Sequence, residues 1–184
     1  TRFFTMSRVT NNGTINVYGT GNVAMSAGSA IVLNQAINLE DGTINLKGKN
    51  NIAMWTFFVI SEGDNFFRNY QNKYNLGPGN IINKDKIEVT KDNSLGMYSS
   101  NTNSTGLNDS TGIIEVSGKD AVGMFADNNS KMTNKGNINV IASILKAAPS
   151  ATQQYATAMR ASKGSITGAS TVSKVINDAS GKIK

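Results

Sequence analysis

Short apolar alternations recur along this chain at a fixed beat. Gly13-Thr14-Ile15-Asn16-Val17 is nearly repeated by Gly42-Thr43-Ile44-Asn45-Leu46. The series continues through Lys86-Ile87-Glu88-Val89, Ile113-Ile114-Glu115-Val116 and Gly136-Asn137-Ile138-Asn139-Val140, and Gly181-Lys182-Ile183-Lys184 opens a sixth copy. A second block follows: Asn22-Val23-Ala24-Met25, Asn51-Ile52-Ala53-Met54, Ser94-Leu95-Gly96-Met97 and Ala121-Val122-Gly123-Met124. In all four copies Met lies 10 residues after Ile. Period-two alternation places Ile15 and Val17, or Val23 and Met25, on one face of a short strand. Between the blocks lie five residues of turn type, such as Tyr18-Gly19-Thr20-Gly21-Asn22, where Gly, Asn and Asp tolerate positive φ. A weaker third strand is expected around Lys131-Met132-Thr133-Asn134. Three strands and three corners per copy predict an all-β chain, a right-handed parallel β-helix of five to six rungs. At ~4.8 Å per rung it would be roughly 25–30 Å long.

The Ile, Val and Met columns then read as core, with Met filling irregular gaps. The recurrent Asn11, Asn12, Asn50, Asn51, Asn128, Asn129 and Asn134 read as corner residues that bond local backbone.

Composition agrees. Asn occurs 25 times, and with Ser, Thr and Gly makes 77 of 184 residues. A polar chain of this kind is either disordered or a β-protein with frequent turns. The 17 Ile and a net charge of only +6 exclude the disordered reading. With no Cys and no His, disulfides, thiolate or imidazole metal sites and His-based catalytic triads are all excluded. No apolar run approaches the ~20 residues of a membrane-spanning helix.

The rhythm breaks twice. About 19 residues are surplus between Met54 and Ile87, and seven of the chain's 13 aromatics fall within positions 55–74. We take 55–80 as an aromatic-rich insertion in a single β-helical segment covering 1–184. Its candidate ligand-binding residues are Trp55, Phe57, Phe58, Phe66, Phe67, Arg68, Tyr70, Lys73 and Tyr74. Aromatic faces interleaved with cations suit sugar rings or a protein hot spot; alternatively the rings fold inward as a lobe that braces the rod. A second, shorter insertion is expected over 141–157, where Ile141-Ala142-Ser143-Ile144-Leu145 has helical spacing before Pro149.

The Lys residues are spread through corners, and register would bring Lys49 and Lys119 to one edge. Such an edge is either a solvated face or an attraction for polyanions. No nucleic-acid motif is present. Glu88 and Glu115 hold matching outward positions one rung apart, and Asp92 and Asp120 fall in matching corners. A carboxylate pair about 5 Å across is compatible with retaining glycoside chemistry; repeat register alone also produces it. The calcium-binding glycine-rich nonapeptide is absent. We expect no enzyme, no cofactor, no metal and no small-molecule substrate.

Gly118-Lys119-Asp120-Ala121-Val122-Gly123-Met124-Phe125-Ala126-Asp127, followed by Asn134-Lys135-Gly136-Asn137-Ile138-Asn139-Val140, resembles the repeats of large fusobacterial autotransporter adhesins. The resemblance covers 11–140, and more loosely 156–184. It implies a piece of a type V secreted passenger, a β-helical virulence rod on the bacterial outer membrane. It further implies attachment to a host-cell receptor, glycan or protein, or to another bacterium. Membrane contact would come only through a C-terminal barrel that this chain does not contain. A purely structural spacer of the rod and a β-helical polysaccharide-cleaving enzyme are the alternatives.

Overall fold

A computed structural model describes residues 7–29, 34–58, 79–100, 104–141, 156–162, 165–166, 169–170 and 173–184. The chain winds through three parallel sheets, one strand per sheet per turn. The first turn is β1 (Arg8–Asn11), β2 (Thr14–Val17) and β3 (Val23–Ser29). The second is β4 (Gln35–Asn38), β5 (Thr43–Leu46) and β6 (Ile52–Phe58). The third is β7 (Asn80–Asn83), β8 (Lys86–Val89) and β9 (Leu95–Ser99), and the fourth β10 (Thr105–Asn108), β11 (Ile113–Val116) and β12 (Val122–Ala126). The fifth is β13 (Lys131–Asn134), β14 (Asn137–Val140) and β15 (Thr157–Ala161). After a small hairpin, β16 (Ser165–Ile166) with β17 (Ala169–Ser170), a sixth turn supplies β18 (Lys174–Asn177) and β19 (Lys182–Ile183). This is a parallel β-helix.

The first sheet stacks β1-β4-β7-β10-β13-β18, the second β2-β5-β8-β11-β14-β19, and the third β3-β6-β9-β12-β15. Register is kept without slip. Ile15, Ile44, Ile87, Ile114, Ile138 and Ile183 are successive partners in the second sheet. Met25, Met54, Met97, Met124 and Met159 are successive partners in the third. The middle members of both columns are completely buried, so the predicted columns are the core. In the first sheet Gly106 faces Ile81 and Met132, and the Met132 methyl occupies the space a Cβ at Gly106 would take. Large and small residues alternate there to hold the volume constant.

The corners follow the same logic. From the second to the third sheet, the first four turns each spend five residues, and the fourth of the five has positive φ: Gly21, Asn50, Asn93 and Asp120. Between the first and second sheets the corner alternates between two and four residues. In the four-residue form Gly112 is forced, since a Cβ would meet the Asn108 side chain and stand 2.7 Å from the Asn83 carbonyl oxygen.

That corner holds a structure the spacing alone did not disclose. Asn11, Asn38, Asn83, Asn108, Asn134 and Asn177 end the successive strands of the first sheet, and each passes one amide hydrogen bond to the next at 2.7–2.9 Å. The four central members are completely buried. The expectation that Asn11 and Asn134 bond local backbone holds at Gly13 and Gly136, and the same amides also tie rungs together. Ser165-Ile166 pairs antiparallel with Ala169-Ser170, apart from the three stacked sheets.

Candidate functional site

Among the nine predicted ligand-binding residues, Trp55, Phe57 and Phe58 fall in β6, which pairs with β3 through Phe58. Phe66, Phe67, Arg68, Tyr70, Lys73 and Tyr74 lie outside the described residues, as does the proposed helical turn from 142 onward. Trp55 and Phe57 point to the outside of the third sheet, because Met54 and Thr56 between and beside them point in. Their ring centroids are 4.6 Å apart with planes tilted by 38°. Gly28 on the neighbouring strand makes room, since the Phe57 ring lies where its Cβ would be.

The structure extends this pair into a column. Register places Ser26, Trp55, Tyr98, Phe125 and Arg160 side by side on successive rungs. The Trp55 and Tyr98 rings are nearly parallel (10°) at 6.3 Å, and Tyr98 and Phe125 (15°) at 5.3 Å. The Arg160 guanidinium closes the column 5.3 Å from the Phe125 centroid. Offset stacking contributes about 0.5–1.5 kcal/mol per pair beyond area burial, and an exposed cation–π contact about 0.5–1 kcal/mol. The near-parallel, offset rings form a continuous aromatic strip along the rod. The Trp55 indole N–H donates to Ser100 Oγ at 3.2 Å.

Sequence reasoning missed Tyr98 and Phe125. The signal was present, since both directly follow the aligned Met, as Trp55 and Arg160 do.

A polar hub borders the column. The Asp127 carboxylate accepts from the Tyr98 hydroxyl (3.5 Å), the Asn128 backbone N–H (2.8 Å) and the Ser162 hydroxyl. Burial first, and the Asp127 charge second, push the Tyr98 phenol above its ordinary range.

The second sheet carries the other candidate chemistry. Glu88 and Glu115 are register partners, as expected. The Lys86 ammonium stands between them, 2.7 Å from Glu88 and 3.2 Å from Glu115, and hydrogen bonds to both, Glu88 first, raise its pKa. The ammonium occupies the space a glycosidic oxygen or attacking water would need between the carboxylates. Asp92 and Asp120 are in successive corners but one position out of step: Asp120 stacks with Asn93, and Asp92 receives the Lys119 backbone N–H at 3.2 Å. Lys49 pairs with Asp92 at 2.9 Å, so Lys49 and Lys119 do share an edge, with Asp92 between them. No group of three or more acidic side chains poised to hold a metal exists among the described residues.

What the geometry offers is a stiff rod with one aromatic outer face. No curated protein and no solved structure matches the chain. A family model matches residues 59–184, and the chain belongs to the family it describes, the BigA third pectate lyase-like domain.

Proposed function

We propose that this chain is a segment of an autotransporter passenger that holds adhesive surfaces away from the bacterial outer membrane. The observation that carries the reading is the rod itself: six rungs on one uniform core, with chemistry confined to outward columns. BigA is an autotransporter-like adhesin, which supports a passenger-type β-helical domain. The repeat style of 118–140 adds the finer reading, a fusobacterial type V adhesin exposed on the cell surface. The recognition surface is the outer face of the third sheet around Trp55, Phe57, Tyr98 and Phe125. Its partner is a receptor on a host cell or on another bacterium. A half-buried aromatic strip of this kind suits a hot spot on a protein surface. The residues beyond Phe58 supply the option of a glycan.

The test compares the chain with its Trp55→Ala/Tyr98→Ala/Phe125→Ala variant for attachment to human cells and Gram-positive bacteria, circular dichroism confirming that both are folded. Saturable binding lost in the variant supports the reading. No binding by either protein makes the chain a spacer of the rod. Equal binding by both moves recognition off this face. The pectate lyase-like fold raises a second reading, a polysaccharide-cleaving enzyme, against which the Lys86 ammonium between Glu88 and Glu115 stands; products that vanish in Glu88→Gln/Glu115→Gln would establish it.

A further inference from the structure

Charge is divided unevenly along the rod. Residues 1–127 carry ten Lys and Arg against eleven Asp and Glu, whereas residues 128–184 carry eight against one, Asp178. The whole net charge therefore belongs to the last two rungs and the segments joining them. Six of the eight cations lie in the described residues: Lys131, Lys135, Arg160, Lys174, Lys182 and Lys184, all exposed. Lys131 and Lys174 are direct register partners on the first sheet. In the same column the preceding rungs carry Arg8, which donates to Gln35, and then Gln35, Asn80 and Thr105, so adjacent cations occur only at Lys131 and Lys174. Lys135 follows in the adjoining corner, and Lys182 starts the next strand of the second sheet. Like charges directly opposite each other in a sheet are destabilising. Among the described residues none of these cations has an ion-pair partner; the ion pairs there involve Lys49 and Lys86.

We propose that the first-sheet face of the last two rungs, centred on Lys131 and Lys174, binds a linear anionic polysaccharide. The cations repeat at the rung spacing of ~4.8 Å along the rod, which suits an extended chain bearing regularly spaced sulfate or carboxylate groups. Single-stranded nucleic acid would call for aromatic platforms among the cations. The outward neighbours here are instead Thr133 and Ile176, and the stacked rings lie on another sheet. The inference deepens the adhesion reading by adding a ligand class on a different face, and it can fail while attachment through the third sheet stands.

The experiment measures binding of the whole chain to heparin across a salt series. Two variants are run beside it: Lys131→Gln/Lys174→Gln, and Lys47→Gln/Lys91→Gln, which removes equal charge from exposed corners of earlier rungs. Salt-sensitive binding is expected, weakened about tenfold in the first variant and little in the second. Heparin is also expected to raise the unfolding midpoint of the unmodified chain more than that of the first variant. Absence of heparin binding, equal losses in both variants, or tighter binding to duplex DNA or phosphatidylserine vesicles at the same salt overturns the proposal.

Discussion

Asn83 donates its side-chain amide to the side-chain oxygen of Asn108 at 2.8 Å, 25 residues along the chain but one rung along the rod. Asn108 passes the same bond to Asn134 and also donates to the Gly112 carbonyl at 3.2 Å. Removing it takes one hydrogen bond from each of two buried amides: the Asn83 N–H, which keeps the Asp85 carbonyl, and the Asn134 side-chain oxygen. Asn108→Ala is therefore expected to cost about 2–4 kcal/mol, read from urea unfolding followed by circular dichroism. Asn177→Ala, at an exposed member of the same ladder, should cost clearly less. Equal costs would contradict a ladder that works by satisfying buried groups.

The fourth position of each five-residue corner offers a backbone test. Asn93 holds φ at 53°, a conformation Gly adopts freely and β-branched residues do not. Asn93→Gly is expected within about 0.5 kcal/mol of the parent and Asn93→Val about 1–3 kcal/mol below it. The thermal midpoints of the two variants check the order.

The aromatic column predicts a spectroscopic contrast. Tyr98 is the register neighbour of Trp55, its ring near-parallel at 6.3 Å, while Phe125 is one rung further away. Tyr98→Ala should shift the single tryptophan's emission to longer wavelength, and Phe125→Ala should leave it nearly in place.

Thr56 and Ser99 are register partners that bury hydroxyl oxygens without a hydrogen-bond partner among the described residues. An orphaned hydroxyl costs its desolvation, so Thr56→Val is expected to be neutral or stabilising by about 1 kcal/mol. A lowered unfolding midpoint would show that the hydroxyl is satisfied after all.

Asp92 sets a modest acid dependence. The hydrogen bond from Lys49, then the Lys119 backbone N–H, hold its carboxyl below the ordinary carboxylate range. A folded pKa below the unfolded one adds stability that is present above the ordinary value and lost as pH falls through the folded one. Both partners are substantially solvated, so the effect stays below about 1 kcal/mol. Asp92→Asn should be slightly less stable than the parent near neutrality, with the gap closing in acid.

The rungs were readable in the sequence because Ile and Met recur 10 residues apart and core columns repeat residue types. Two features were harder to see. The asparagine ladder was hidden because its corner alternates in length, so Asn11 precedes Ile15 by four residues while Asn38 precedes Ile44 by six. The aromatic column was hidden because Trp55 and Tyr98 are 43 residues apart and Tyr98 and Phe125 are 27 apart. The local density of rings in 55–74 drew attention to an insertion instead. Sequence clustering finds neighbours along the chain; a solenoid makes its neighbours across it.

The hydrogen bonds between rungs run along the rod axis, and the strands lie across it. A pull on the rod therefore loads one inter-rung seam at a time, in the manner of a zipper. A plain turn, such as the 24 residues from Ile114 to Ile138, gives up ~4.8 Å of rod as it peels away. It then pays out roughly 80 Å of extended chain. Under shear the segment would act as a stack of releasable loops, lengthening in steps while the remaining rungs stay folded.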